Sequence, residues 1–322
     1  MVVSWRMQVV RSIQDVVRQK NSVVTVGTFD GVHRGHQQIV SRVLEKARLR
    51  RARSVVVTFE PHPREIVGRG PAKLLTTIDE RIALLETTGI DLLVVHRFTF
   101  EFSRLSSSEF CEEFIVKRIG VGEVVVGYDH MFGRDREGGW QELKEMGQQF
   151  GFAVHREPPL VVDGEIVGSS KIREALLRGD VDHAQHWLGR PYCLSGLVVP
   201  GDGRGARLGF PTANLQPSDE RKLVPAEGVY FVTAELDGKH LYGMLNVGVR
   251  PTFKDDHRTV IEVHLFRFEG TVYGKKIVVR FVRRLRAEQK FPSSDDLTRQ
   301  LQQDREQCLK LIEENQNSMR GE

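Results

Sequence analysis

The chain has 322 residues, of which 40% are apolar and 28% charged, and a net charge of only +4. That length accommodates two domains with separate cores, and the composition suits a soluble globular protein rather than a disordered or fibrous one. The small charge is no nucleic-acid footprint, and no apolar run approaches the length of a membrane span.

Cys111, Cys193 and Cys308 lie far apart, with no CxxC pair. They suggest neither a zinc site nor a disulfide framework, and they fit a reducing compartment. The first residues lack the apolar core of a signal peptide. A cytoplasmic protein with small-molecule substrates and no nucleic-acid or membrane partner is the expectation; oligomeric state is left open.

In chain order, Val23–Val26 is a β-branched strand. It runs into Gly27-Thr28-Phe29-Asp30-Gly31-Val32-His33-Arg34-Gly35-His36. Gly27 and Gly31 permit a sharp turn and close backbone approach. If a helix starts near Val32, His33 and His36 share one face of its first turn. The unpaired N–H groups and positive dipole end of a helix suit phosphate, and two imidazoles add donors. The stretch therefore reads as a nucleoside-triphosphate site, against the alternative that both histidines are packing or surface residues. The basic run Lys46–Arg53 reads as the solvated end of the same helix, favoured by its dipole.

Ser54–Phe59 is a second strand, stopped by Glu60-Pro61-His62-Pro63. Helical spacing over Thr77–Thr88, a strand at Asp91–Val95 and a capped helix over Ser106–Ile119 follow. Glu123–Gly127 is a strand leading into the loop Tyr128–Asp135, then come a helix over Trp140–Phe150 and a strand over Phe152–His155. The alternation predicts a mostly parallel sheet covered on both faces, with ligands beyond the strand C-termini. The loops after Val26, Phe59 and Gly127 should converge there. Ser169-Ser170-Lys171-Ile172-Arg173 opens another helix. The serines can serve as caps, but basic residues in a first turn oppose the dipole, a conflict that a bound anion would remove.

After Leu188-Gly189-Arg190-Pro191 the pattern changes to short strands: Leu194–Val199, Gly228–Glu235, Leu241–Val247, Val260–Phe268 and Lys276–Phe281. They predict an antiparallel barrel or sandwich. A polar-faced helix over Asp295–Asn315 closes the chain. The domain boundary is placed at 187/188, giving domains 1–187 and 188–322.

The Gly-x-Phe-Asp-Gly-x-His-x-Gly-His pattern resembles the nucleotidyltransferase superfamily. With Thr58–Pro63, Gly127-Tyr128-Asp129, Phe132-Gly133 and Ser169–Arg173, the first half resembles the FMN adenylyltransferase module of bacterial bifunctional FAD synthetases. Gly201–Gly205, Pro211-Thr212-Ala213-Asn214, Gly228-Val229-Tyr230, Asn246-Val247-Gly248 with Arg250-Pro251-Thr252, Glu262-Val263-His264 and Leu285-Arg286-Ala287-Glu288 resemble riboflavin kinase. The resemblance implies a Rossmann-like domain followed by a β-barrel kinase domain with a C-terminal helix. It also implies riboflavin, FMN, FAD and ATP as substrates and products, with Mg²⁺ as cofactor.

Residue by residue, the resemblance implies His33, His36 and Arg173 as catalytic groups of the transferase. Gly27, Thr28, Phe29, Asp30, Gly31, Gly35, Gly127, Asp129, Ser169 and Ser170 would bind nucleotide there, and Phe59, His62 and Pro63 would face the flavin. In the kinase it implies Glu262 as base, Gly203, Gly205 and Pro211 at ATP, Thr212 and Asn214 at ATP and metal, and Arg286 at the flavin. These assignments suit the chemistry. A carboxylate can take the hydroxyl proton, neutral oxygens suit Mg²⁺, and glycines let backbone approach phosphate. Without the resemblance, Glu262 reads first as an outward strand residue in a surface salt bridge.

The chain departs from the family at Gly168, at His130-Met131 and at Arg267. The missing hydroxyl at Gly168 leaves an alternative, a riboflavin kinase with a weakened or inactive transferase domain. A non-catalytic flavin- or nucleotide-binding regulator is the other-class alternative.

Overall fold

The computed structural model describes residues 6–68, 70–134, 137–201, 205, 208–251, 257–268 and 270–320. Its contacts divide the chain into two units, Met1–Ser169 and Ser170–Glu322.

The first unit is built on six parallel strands: β1 (Gln8–Val10), β2 (Ser22–Val26), β3 (Ser54–Glu60), β4 (Leu92–Arg97), β5 (Val121–Gly127) and β6 (Ala153–Glu157), in the order β1-β4-β3-β2-β5-β6. The central strands are valine runs because both faces are covered. Val55 and Val57 pack to one side with Phe110 and Ile115, while Val56 packs to the other with Val40 and Leu85. The covering helices are α1 (Arg34–Arg50), α2 (Pro63–Ile66), α3 (Ile78–Glu86), α4 (Phe100–Ser103), α5 (Ser107–Glu109, continuing as a π-helix over Phe110–Ile119) and α6 (Trp140–Phe150). Thr77 caps α3 and Ser106 caps α5, each in a reciprocal capping box with a glutamate three residues on. Strand order reverses about β2, which pairs with β3 on one side and β5 on the other. Ligands in such sheets bind in the crevice at that switch point. A small hairpin, β7 (Val161–Val162) with β8 (Glu165–Ile166), follows β6. β1, α2, α4 and this hairpin carry too few periodic residues to register in the sequence.

The second unit begins with α7 (Ser169–Leu177) and α8 (Val181–Leu188) and continues into a closed antiparallel barrel. Its strands are β9 (Tyr192–Val199), β10 (Ala213–Pro217), β11 (Gly228–Leu236), β12 (Lys239–Pro251), β13 (His257–Leu265) and β14 (Lys276–Arg286), in the order β10-β13-β12-β11-β14-β9. α8 packs on β14 and β9, and Arg284 of β14 donates to the carbonyls of Arg178 and Glu227. These two helices thus share contacts with the barrel. The sequence shows five of the six strands. The sixth, β10, is short, ends in a proline and exposes polar residues, so its alternation is weak. The closing helix α9 (Ser294–Arg320) covers one outer patch of the barrel, burying Cys308 against Phe231, Met244 and Phe266. Among the described residues no helix is long and apolar enough to cross a membrane.

Candidate active sites

In the first unit, β2 ends at Val26 and the chain turns through Gly27–His33 into α1. Phe29 and Val32 both adopt left-handed backbone, φ 48° and 39°, beside Gly31 at φ 90°. For a β-branched valine this is a strained geometry, held by the surrounding packing. The helix starts at Arg34 rather than near Val32, and His33 is its N-cap. The His33 Nδ1 accepts from the backbone N–H of His36 at 3.3 Å, which places the proton of a neutral His33 on Nε2. The two rings stack with centroids 3.6 Å apart. Gly35 makes this possible, because a Cβ there would sit 3.2 Å from the His33 ring. The first turn of α1 holds no acidic side chain. Two imidazoles at a helix N-terminus, beside the switch point, form a donor-rich cradle for an anion.

The residues between these glycines support that cradle. Phe29 is 2% exposed and meets the His36 ring edge-on at 5.1 Å. Asp30 is 1% exposed, and its carboxylate accepts from the backbone N–H groups of Leu75 and Thr76 and from the Thr76 hydroxyl. Thr76 also accepts from Gly31 N–H. The Thr28 carbonyl accepts from the Thr58 hydroxyl, which in turn accepts from fully buried Arg81 of α3. Phe29 and Asp30 were expected at nucleotide; their side chains instead fix the loop to α3 and to the Leu75–Thr76 turn. Arg81 and Thr76 had no motif to mark them, since their role rests on contacts 23 and 45 residues away in sequence.

Gly127 ends β5 close to α1: a Cβ there would lie 3.2 Å from Ile39 and 3.6 Å from the Asp129 carboxylate. The end of β5 thus lies against α1, the helix into which the loop after β2 leads. Arg156 pins the loop after β5 by donating to the Tyr128 carbonyl. The Ser169 hydroxyl donates to the Asp30 carbonyl at 2.9 Å. Ser170 lies in the first turn of α7, and Arg173 is its fifth residue. His62 caps α2, with Pro63 as the first helical residue. Phe59, expected at flavin, is 8% exposed and packs among Phe98 and Phe102 in the core, so its ring backs the end of β3 rather than offering a platform.

In the barrel, the site residues meet through strand register. Asn214 of β10 lies opposite Glu262 of β13, and Glu262 lies opposite Asn246 of β12. Directly opposed residues share a face. Their neighbours Leu215, Ile261, Val263, Leu245 and Val247 are buried, so the three polar side chains form a row across the outer wall. Gly201 lies beneath one end: a Cβ there would overlap the Asn214 amide. Gly205 lies against Phe210 and 3.0 Å from the Thr212 hydroxyl by the same measure, and its carbonyl accepts from Phe210 N–H. Gly203 falls outside the described residues.

His264, two residues past Glu262, meets the Pro211 carbonyl through Nδ1 at 2.8 Å and packs against Phe210 and Phe266. Burial holds its imidazole below the ordinary value, partly offset by the Pro211 bond. A neutral His264 donating from Nδ1 therefore fixes the segment that carries Thr212. Arg286, expected at flavin, gives its guanidinium to Asp304 of α9 in three hydrogen bonds of 2.9–3.0 Å. Sequence reasoning passed over Asp304 because it looks like any polar-face residue of a long helix. Among the described residues no three His, Cys, Asp or Glu side chains cluster as metal ligands.

The family model for FAD synthetase matches residues 15–171, and that for riboflavin kinase matches residues 188–312. The bifunctional riboflavin kinase/FMN adenylyltransferase of Pseudomonas fluorescens is 38% identical over 292 residues, covering 90% of this chain and 93% of that protein. Its namesake from Bacillus subtilis is 35% identical over 299 residues, covering 91% and 93%. A solved structure from Streptococcus pneumoniae, described as a macrolide-efflux protein, is 32% identical with a TM-score of 0.85, covering 93% of this chain and 97% of that one. The fold therefore extends over both units. The chain belongs to the bifunctional riboflavin kinase/FMN adenylyltransferase family.

Proposed function

We infer that the protein phosphorylates riboflavin to FMN and then adenylylates FMN to FAD, consuming one ATP in each step. The reading is carried by two unlike polar constellations in two units, the stacked His33–His36 pair at the start of α1 and the Asn214–Glu262–Asn246 row on the barrel wall. We place the functional boundary at 187/188, supported by the kinase match that begins at residue 188. A cytoplasmic setting accompanies the proposal, since both steps draw on ATP.

In the kinase step, Glu262 takes the proton of the riboflavin 5′-hydroxyl as its oxygen attacks the γ-phosphate, and ADP leaves. Thr212 and Asn214 would hold Mg²⁺. A hydroxyl and an amide oxygen are hard, neutral donors that suit an ion whose charge is met mainly by phosphate, and Gly201 leaves the room that the Asn214 amide occupies. Bound with ATP, the ion supplies charge neutralisation on the phosphate oxygens. Pro211, held by His264, sets the loop under the nucleotide, and Gly203 and Gly205 let backbone approach it.

In the transferase step, the FMN phosphate is ionised near neutral pH and needs no strong base. It attacks the α-phosphate of ATP, and pyrophosphate leaves. His33, His36 and Arg173 stabilise charge on the transferring and leaving groups, with Ser169, Ser170, Asp129 and the backbone of Gly27–Gly31, Gly35 and Gly127 around the phosphates. His62 and Pro63 border the flavin, with Phe59 behind them.

Chromatography of products from purified protein, riboflavin, ATP and Mg²⁺ tests the reading. FMN should appear first and FAD after it, and FMN with pyrophosphate should reappear when FAD and pyrophosphate are supplied. Accumulation of FMN without FAD would leave a kinase with an inactive transferase unit.

A further inference from the structure

The C-terminal helix buries a charge where an apolar residue would serve packing as well. Asp304 is 2% exposed, on the same face of α9 as Leu301 and Cys308, which dock the helix on the barrel. A buried carboxylate is costly unless it is paired and hydrogen-bonded. Here it is both: Arg286 supplies three hydrogen bonds, and Gln300 supplies another to Oδ1 at 3.0 Å. Such a pair adds little net stability over well-packed apolar residues. What it gives is a fixed orientation for each partner.

That orientation leads back to the polar row. Arg286 lies opposite Val229 of β11, which lies opposite Asn246 of β12, which lies opposite Glu262. Beyond Arg286 the chain leaves the barrel wall. Its guanidinium also donates to the Ala287 carbonyl at 3.2 Å and lies 5.6 Å from the Phe291 ring, so it holds the segment that follows at two points. Glu288 lies on that segment. The Asn246 amide is satisfied when its nitrogen donates to the Glu288 carboxylate at 2.7 Å and to the Gly228 carbonyl at 3.3 Å. Glu288 is an exposed residue, but its carboxyl end is turned toward Asn246. Burial of that end, and then the nearby Glu227 and Glu262, raise its pKa, while Arg286 and the Asn246 bond pull it down.

We propose that Asp304 is a positioning residue for the kinase site: through Arg286 it fixes residues 286–291 so that Glu288 orients Asn246 beside Glu262. The proposal rests on the assignment of Glu262 to the kinase step. The helix thereby couples to the reaction through one ion pair and one amide, besides covering the barrel.

The test uses the full-length protein, with kinase kcat and KM, adenylylation of supplied FMN and thermal unfolding measured on each variant. Asp304→Asn should lower kinase kcat/KM about ten- to a hundredfold, the scale of a sub-ångström misplacement, and leave FMN adenylylation at the wild-type rate. The double variant Arg286→Met/Asp304→Leu should regain the wild-type unfolding temperature but not the kinase rate. Glu288→Gln, at an exposed position that does not threaten the fold, should lower kinase kcat in the same direction, and adding Asp304→Asn should cost little more. The proposal is overturned if kinase activity tracks unfolding temperature through the series, or if Glu288→Gln leaves kcat and KM unchanged. Full kinase activity in Glu262→Gln would instead overturn the assignment on which it rests.

Discussion

The two candidate sites serve ATP-dependent steps from opposite raw materials. In the α/β unit the positive character is built into the backbone: a helix N-terminus without acidic neighbours, capped by His33 and stacked by His36. In the barrel, among the described residues, no helix end takes part in the polar row. Three side chains 32, 16 and 48 residues apart in pairwise sequence separation meet only because three strands share a register. One site is a local motif and the other a product of tertiary pairing. The first depends on a loop held in strained backbone, the second on strands that cannot slip without turning their polar row inward.

The largest effects should come from exchanging losses between the units. His33→Ala with His36→Ala should reduce FAD formation by about a hundred- to a thousandfold, the scale for removing donors aimed at developing charge. FMN should then accumulate from riboflavin. Glu262→Gln should do the reverse, cutting the kinase step about a hundredfold or more, as for loss of a general base, while supplied FMN is still adenylylated. Discontinuous assays of both products on each variant decide it. Parallel loss of both activities in either variant would break the two-site comparison.

Glycines beneath each site offer a finer contrast. An added Cβ at Gly201 would overlap the Asn214 amide, whereas at Gly35 it would meet the His33 ring at 3.2 Å. Gly201→Ala must therefore displace a proposed metal ligand, and should raise the Mg²⁺ requirement of the kinase step with a loss of about tenfold or more in rate. Gly35→Ala asks the stacked ring to move only a few tenths of an ångström, and should slow FAD formation less, by about two- to fivefold. A Mg²⁺ titration of each step separates them.

The same contrast explains how much was legible beforehand. The parallel sheet followed from strand–helix alternation, and the His33–His36 cradle from a contiguous motif in a strand–turn–helix context. The barrel followed from short alternating strands, except that β10, the strand of Asn214, was too short and polar to register as one. Glu262 was ambiguous as a residue, because nothing local tells an outward strand carboxylate from a base. It took its role from family resemblance, and the register with Asn214 then gave it neighbours. Arg81, Thr76 and Asp304 were invisible for a common reason. Each acts through a partner distant in sequence, and a single chain read locally carries no signal for such pairs. Phe29, Phe59 and Arg286, expected at ligands, also make contacts that no local reading shows: Phe29 meets His36, Phe59 packs among Phe98 and Phe102, and Arg286 pairs with Asp304.

Acid should act on both units through buried histidines. Burial holds His96, set among the rings of Phe102 and Phe114, below the ordinary value of 6.5. As pH falls through 6.5 the unfolded chain takes up a proton that the folded unit still refuses. Stability is therefore intact above that value and lost below it. His96→Phe should flatten the pH dependence of unfolding of the α/β unit by under about one proton between roughly pH 7.5 and 5.5. His264, depressed likewise by burial, keeps the barrel's own dependence. Thermal scans of wild type and variant across that range would reveal an unchanged slope if His96 is irrelevant.

The smallest effect concerns Gly168, the departure that favoured a weakened transferase. A Cβ at this position would meet nothing within 4 Å, and its backbone is not in the left-handed region reserved for glycine. The frame therefore does not demand glycine here, and a hydroxyl side chain would stand in open space. The nearest comparable group, the Ser169 hydroxyl, is already held by the Asp30 carbonyl, so the loop into α7 keeps its anchor with or without a neighbour. Gly168→Ser should leave stability unchanged and alter FAD formation by less than about threefold, the size of one exposed, replaceable hydrogen bond. A rise of about a hundredfold would mean that the missing hydroxyl throttles the transferase. The chain would then be a kinase whose second site is built but underpowered.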